Sequence, residues 1–248
     1  MKALDVALVA LDAALYAALG YLFYAILPIT TPGLGLVRFW PPVVIPAVFA
    51  AIFGPRVGAL GAGIGIFISD MMIHGNALLT LMAGVPSNLV MFAIIGYMAN
   101  KKTGWKTPLI ILGCISAFLV WVSYVVLLSP PYGFSYQLLA TAIIIGTYVV
   151  LAILVWLTKW KGYVLGSTFG LLAGSCIIAA MVPLFSLFFV MPGGTALTPL
   201  GVTGGLLYLV WTFSTEIPFL LVLGPPIIAA IYRAFPNLKA KNTYGENQ

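Results

Sequence analysis

Residues 163–190 read YVLGSTFGLLAGSCIIAAMVPLFSLFFV, without a single Asp, Glu, Lys, Arg or His. A helix that crosses a bilayer needs about 20 consecutive, mostly apolar residues, and this run is longer than that. It is bounded by Lys159 to Gly162 (KWKG) before it and by Pro192 to Pro199 (PGGTALTP) after it. Lysine, glycine and proline clusters of this kind punctuate apolar segments.

The same alternation extends in both directions. Further apolar runs lie at roughly 4–27, 40–54, 57–73, 78–99, 107–128, 136–158 and 200–232. Their breaks fall at Pro28 to Gly35 (PITTPGLG), Gly54 to Arg56 (GPR), Lys101 to Lys106 (KKTGWK) and Ser129 to Gly133 (SPPYG). Composition agrees with this reading. Of 248 residues, 62% are hydrophobic and only 6% charged, against about 25% charged in typical soluble domains. A water-soluble globule of this size lacks the charge to cover its surface. The composition excludes a soluble enzyme, a nucleic-acid-binding domain and a disordered chain. The expected fold is all-α: a polytopic transmembrane helical bundle of six to eight helices. The runs at 40–54 and 57–73 are short for a crossing, hence the range. One integral membrane domain is expected over residues 1–236, followed by a polar cytoplasmic tail at 237–248.

Charge sets the orientation. The chain carries 11 Lys+Arg and 5 Asp+Glu, a net +6. With the N-terminus inside and eight crossings, Lys2, Arg56, Lys101, Lys102, Lys106, Lys159, Lys161, Arg233, Lys239 and Lys241 face the cytoplasm, and Arg38 alone faces out. Cytoplasmic loops of membrane proteins carry such an excess of Lys and Arg. Both termini are therefore expected in the cytoplasm of a multi-pass protein of the cell (plasma) membrane. The first helix is expected to stay uncleaved, because Asp5 and Asp12 interrupt its apolar run and the run is too long for a signal peptide. Cys114 and Cys176 lie inside apolar runs and read as small packing residues, not a disulfide or metal framework.

Five features are candidates for function. In helix 1, Ala10, Ala14 and Ala18 recur every fourth residue, and small residues let two helices approach closely in lipid. They are candidates for docking another membrane subunit or for packing inside this chain. The glycine-rich run Gly58 to Gly65 offers similar small-residue pairs, read as internal packing. The apolar segment that carries it leads on to Asp70, and His74 follows at i+4, a spacing that allows an ion pair; Asn76 follows closely. Arg38 stands beside Phe39 and Trp40, a plausible trap for a planar or anionic molecule, although Arg and Trp also gather at membrane interfaces. In Gly84 to Asn88 (GVPSN), Pro86 should kink the helix and Asn88 brings an amide to membrane depth. Glu216 falls in the middle of the last apolar run, where an ionisable group marks a functional site by default. Tyr208 and Thr212 precede it on the same helical face, and Trp211 is adjacent to that stripe. Asp12 is a weaker candidate of the same kind.

Several chemistries are absent. There is no G-x-x-x-x-G-K-[ST] loop for ATP, no H-E-x-x-H, no G-x-S-x-G and only one histidine. No enzyme activity, cofactor or metal site is expected of this chain.

Arg38 to Asp70 (RFWPPVVIPAVFAAIFGPRVGALGAGIGIFISD) resembles a segment of the membrane-embedded substrate-binding subunits, or S components, of energy-coupling factor (ECF) transporters. In those proteins a proline-rich loop leads to an apolar helix, an F-G-P break and a glycine-rich helix; Phe53-Gly54-Pro55, Gly58, Gly61 and Gly65 match. Gly84 to Gly96, followed by Lys101 and Lys102, resembles the family's next helix, and Glu216 to Pro225 its last. The likeness covers roughly the first 105 residues and, more loosely, the last 35. Family members usually have six helices, so an extra pair here falls between residues 107 and 190. The resemblance implies capture of a vitamin, another micronutrient or a metal cation at the outer face. It implies docking through Ala10, Ala14 and Ala18 on a transmembrane coupling subunit driven by two cytoplasmic ATPases. It also implies a pocket roofed by the 28–41 loop, with Arg38, Trp40, Asp70, His74, Asn76, Asn88, Tyr208, Trp211 and Glu216 as substrate-binding candidates. Two other classes compete: a self-sufficient proton- or cation-coupled carrier using Glu216 and Asp70, and a membrane scaffold without transport.

Overall fold

The structure, a computed structural model, describes residues 2–31, 34, 36–127, 134–195, 197 and 199–238. The 129–133 break and nearly all of the polar tail lie outside them. The described residues form helices and no strand, save one isolated bridge between Thr30 and Arg38. The helices are α1 (Ala3–Ile26), α2 (Val44–Phe53, entered through a 3-10 turn at Pro41–Val43), α3 (Pro55–Ile73), α4 (Ala77–Met98), α5 (Lys106–Leu127), α6 (Phe134–Leu157), α7 (Lys161–Phe188) and α8 (Gly201–Ala234). Six of them, α1, α3, α4, α5, α7 and α8, are long and apolar enough to cross a membrane. The 57–73 run is thus longer than it reads, because Pro55 opens its helix at the first turn, where a missing N–H costs nothing.

The 40–54 run is the exception. With its 3-10 turn it rises only about 20 Å, short of a hydrocarbon core of about 30 Å. It does not need to match the lipid. Val43, Ala47 and Ala50 are fully buried, and α1, α3, α4 and α8 surround it. An all-apolar helix belongs inside such a bundle. Gly54, with φ 99°, makes the reversal into α3 that a side chain would strain.

Close helix contacts run through glycine. Gly61 of α3 lies against the Asp12 side chain of α1, and a Cβ at Gly65 would stand 2.9 Å from the Ala13 carbonyl and 3.0 Å from Tyr16. The expected internal role of the Gly58–Gly65 run is what the structure shows. A second ladder, Gly162, Gly166, Gly170 and Gly174 on α7, faces α4 in the same way. α5 and α6 pack chiefly on each other and lean on α7 and α8 from outside. They are the peripheral pair of the bundle.

Gly96 of α4 touches Pro55, Gly162 touches the carbonyls of Met98 and Ala99, and the Trp160 and Tyr232 rings lie 5.4 Å apart. These contacts gather the described basic residues other than Arg38 at one end of the bundle. Arg38, Asp70 and His74 occupy the opposite end. Cys114 and Cys176 are free and exposed on the bundle surface. The expectation that they pack inside is corrected: their helical faces turn outward, where a small apolar thiol is tolerated in lipid.

Candidate functional site

The Arg38 end of the bundle contains a cavity of about 90 Å³. Its walls come from α1, α3, α4, α7 and α8, and the segment 36–40 covers it. The segment is held by the Thr30–Arg38 bridge and by Phe39 N–H donating to the Ile29 carbonyl at 2.9 Å. Leu36, which lines the cavity, has φ 60°, a conformation rare for a bulky residue.

Arg38, Trp40, Asp70, His74, Asn88 and Glu216 all line this cavity. Arg38 donates through Nη2 to Asp70 Oδ1, forming a partly buried ion pair. Its guanidinium also lies 4.6 Å from the Trp40 ring centre. Asp70 Oδ2 accepts from Thr80 Oγ1 at 2.9 Å and lies 3.6 Å from His74 Nε2, so the expected i,i+4 pairing is present. Trp40 is 5% exposed, so it is a cavity residue and not part of an interfacial belt.

Pro86 does not break α4. It follows a π-helical turn at Thr80–Gly84, a feature that often occurs at functional sites. The turn places Thr80 against Asp70 and leaves the Gly84 carbonyl to accept from Ser87 Oγ and Asn88 Nδ2, each at 2.9 Å. Asn88 Oδ1 accepts from the Tyr16 hydroxyl at 2.9 Å, and Tyr16 accepts from Trp40 Nε1 at 2.9 Å. One hydrogen-bonded chain therefore ties the covering segment to α1 and α4.

Other polar groups at the cavity have no such partners. Glu216 is 6% exposed, lines the cavity and makes no hydrogen bond or ion pair with a described residue. Among the described residues, Arg38 Nη1, Ser175 Oγ and Thr212 Oγ1 are buried and find no hydrogen-bond partner. Thr168 and Thr215, elsewhere on the same two helices, donate back to the carbonyl four residues earlier. Ser175 and Thr212 do not, which leaves their hydroxyls for something else. A buried polar group without a partner costs about 1–3 kcal/mol, so the cluster is suited to a polar guest.

Three candidates lie outside the cavity. Asn76 caps the start of α4, its Oδ1 accepting from Leu79 N–H at 3.0 Å. Tyr208 packs with Leu79, Val182 and Phe185 in a separate small core. Trp211 is half-buried and does not line it. Tyr16, Thr80, Ser87 and Ser175 line it although the sequence does not single them out as binding residues, and Thr212, expected on the Glu216 stripe, lines it as well. Comparison with protein-family models, with characterised proteins and with solved structures returns no match.

Ala10, Ala14 and Ala18 are exposed along α1, while Ala13 and Ala17 beside them are buried at 3% and 4%. The flanking Leu11, Leu15 and Leu19 are exposed as well. Asp12 is fully buried against Gly61, and neither of its oxygens has a hydrogen-bond partner among the described residues.

Proposed function

We propose that this chain is the substrate-capturing S component of an ECF-type transporter in the cell membrane. It takes a vitamin or other micronutrient at the outer face and passes it inward with a coupling subunit and two cytoplasmic ATPases. The observation that carries this reading is the polar cavity at the Arg38 end, where Glu216 stands without a partner. The cavity asks for a small guest with a hydrogen-bond donor or cationic group for Glu216 and an acceptor for Arg38 Nη1. Trp40 and Tyr16 add ring surfaces to its wall. The exposed Ala10, Ala14 and Ala18 supply a smooth face for a partner helix, since small residues allow close approach in lipid.

The test is to purify the full chain from cells supplied with micronutrients and identify the retained small molecule by mass spectrometry. The identified molecule should bind the chain without ATPases, and its uptake into vesicles should require them. Glu216→Gln keeps the shape and removes the charge. It should weaken binding about 10- to 100-fold, the worth of a hydrogen bond to a charged group. Uptake by this chain alone, driven by a proton gradient, would overturn the proposal.

A further inference from the structure

The basic end of the bundle has a cavity of its own, about 310 Å³, lined by Lys101, Lys102, Thr103, Lys159, Trp160 and Lys161, with Gly162 closing it. We propose that it binds the phosphate headgroup of an anionic membrane lipid.

The lysines come from two separate connections, residues 99–105 and 158–161, which the fold brings together. A general excess of lysine on one side of a membrane explains their sign but not their convergence. No described carboxylate lines the cavity. Clustered ammonium groups repel one another, and an anion held among them relieves that repulsion. Two of the lysines are already held in place. Lys161 Nζ donates to the carbonyls of Val155 at 2.8 Å and Trp156 at 3.1 Å, and Lys101 Nζ lies 3.8 Å from the Tyr97 ring centre. Gly162 lets the start of α7 sit directly on the carbonyls that end α4.

The depth and surroundings favour a lipid over a free anion. Tyr97, Trp105 and Trp160 lie close to the cavity in the chain, and such aromatics mark headgroup level. Trp156 and Leu157, immediately before the lysines, are 63% and 64% exposed, and give an acyl chain an apolar surface beside the phosphate site. Basic pockets between helices at this face suit phosphate headgroups.

The full chain in detergent is titrated with phosphatidylglycerol and with phosphatidylcholine, and retention is read by native mass spectrometry. Phosphatidylglycerol should be retained preferentially. Lys101→Gln with Lys159→Gln should reduce that preference by about five-fold per lysine. This pair spares Lys161, which caps α6, so the fold is preserved. A control that removes charge outside the cavity, Lys106→Gln with Arg233→Gln, should keep the preference. Equal loss in both double variants would overturn the site, because the attraction would then be diffuse. Displacement of phosphatidylglycerol by inorganic phosphate at matching concentration would overturn the lipid assignment.

Discussion

Asp70 holds three neighbours at once: the Arg38 guanidinium, the Thr80 hydroxyl at 2.9 Å and, at 3.6 Å, the His74 ring. It therefore acts as an organiser of the cavity wall, and Glu216 is left as the carboxylate that lines the cavity without a hydrogen bond to a described residue. The distinction has a consequence for stability. Asp70→Asn strands a buried guanidinium, which typically costs about 3–5 kcal/mol. The thermal midpoint of the purified chain should fall accordingly. Arg38→Gln combined with Asp70→Asn removes both charges and should recover most of that loss. A double variant no more stable than Asp70→Asn alone would show that the pairing is not the source of the effect. Arg38 and Asp70 were both legible as isolated charges in an apolar sequence. Their partnership was not, since they stand on different elements and nothing local links them.

At the scale of elements, the glycine ladder of α7 governs how closely α7 can approach α4. A Cβ at Gly170 would stand 2.5 Å from the Met91 carbonyl oxygen. Backbone cannot yield as a side-chain tip can, so the two helices would have to separate. Gly170→Ala should lower the thermal midpoint, with overpacking of this kind costing about 1–3 kcal/mol. Gly146→Ala on α6 meets nothing within 4 Å and should leave the midpoint unchanged or raise it, as alanine favours helix over glycine. Matching losses at both sites would refute the close-packing explanation. The fourfold spacing from Gly162 to Gly174 is present in the sequence, but packing is expected from the sequence only at Gly58 to Gly65. The π-helical turn at Thr80–Gly84 was less accessible: Pro86 announced a perturbed helix, but not that the helix would absorb it by widening one turn and carry Thr80 to Asp70.

For the whole molecule, the decisive separation is between two ends and one flank. The polar cavity sits at one end, the lysines at the other, and α1 presents Ala10, Ala14 and Ala18 outward. If the chain is the proposed capture subunit, Ala14→Trp should abolish uptake once its partners are reconstituted with it, while leaving ligand affinity of the isolated chain nearly intact. A parallel loss of affinity would mean that this face supports the chain's own packing. The sequence by itself determined the membrane-embedded helical class, the division into apolar segments and the residues whose charge must be explained. Those follow from the cost of polar groups in hydrocarbon, which acts on each segment separately. The tertiary structure alone decided that the short 40–54 helix is enclosed, that α5 and α6 are the peripheral pair, and that Asn76 and Tyr208 stay out of the cavity while Tyr16 and Ser175 enter it. Those outcomes depend on which faces meet, and the faces meet through close glycine contacts and hydrogen bonds between residues far apart in the chain.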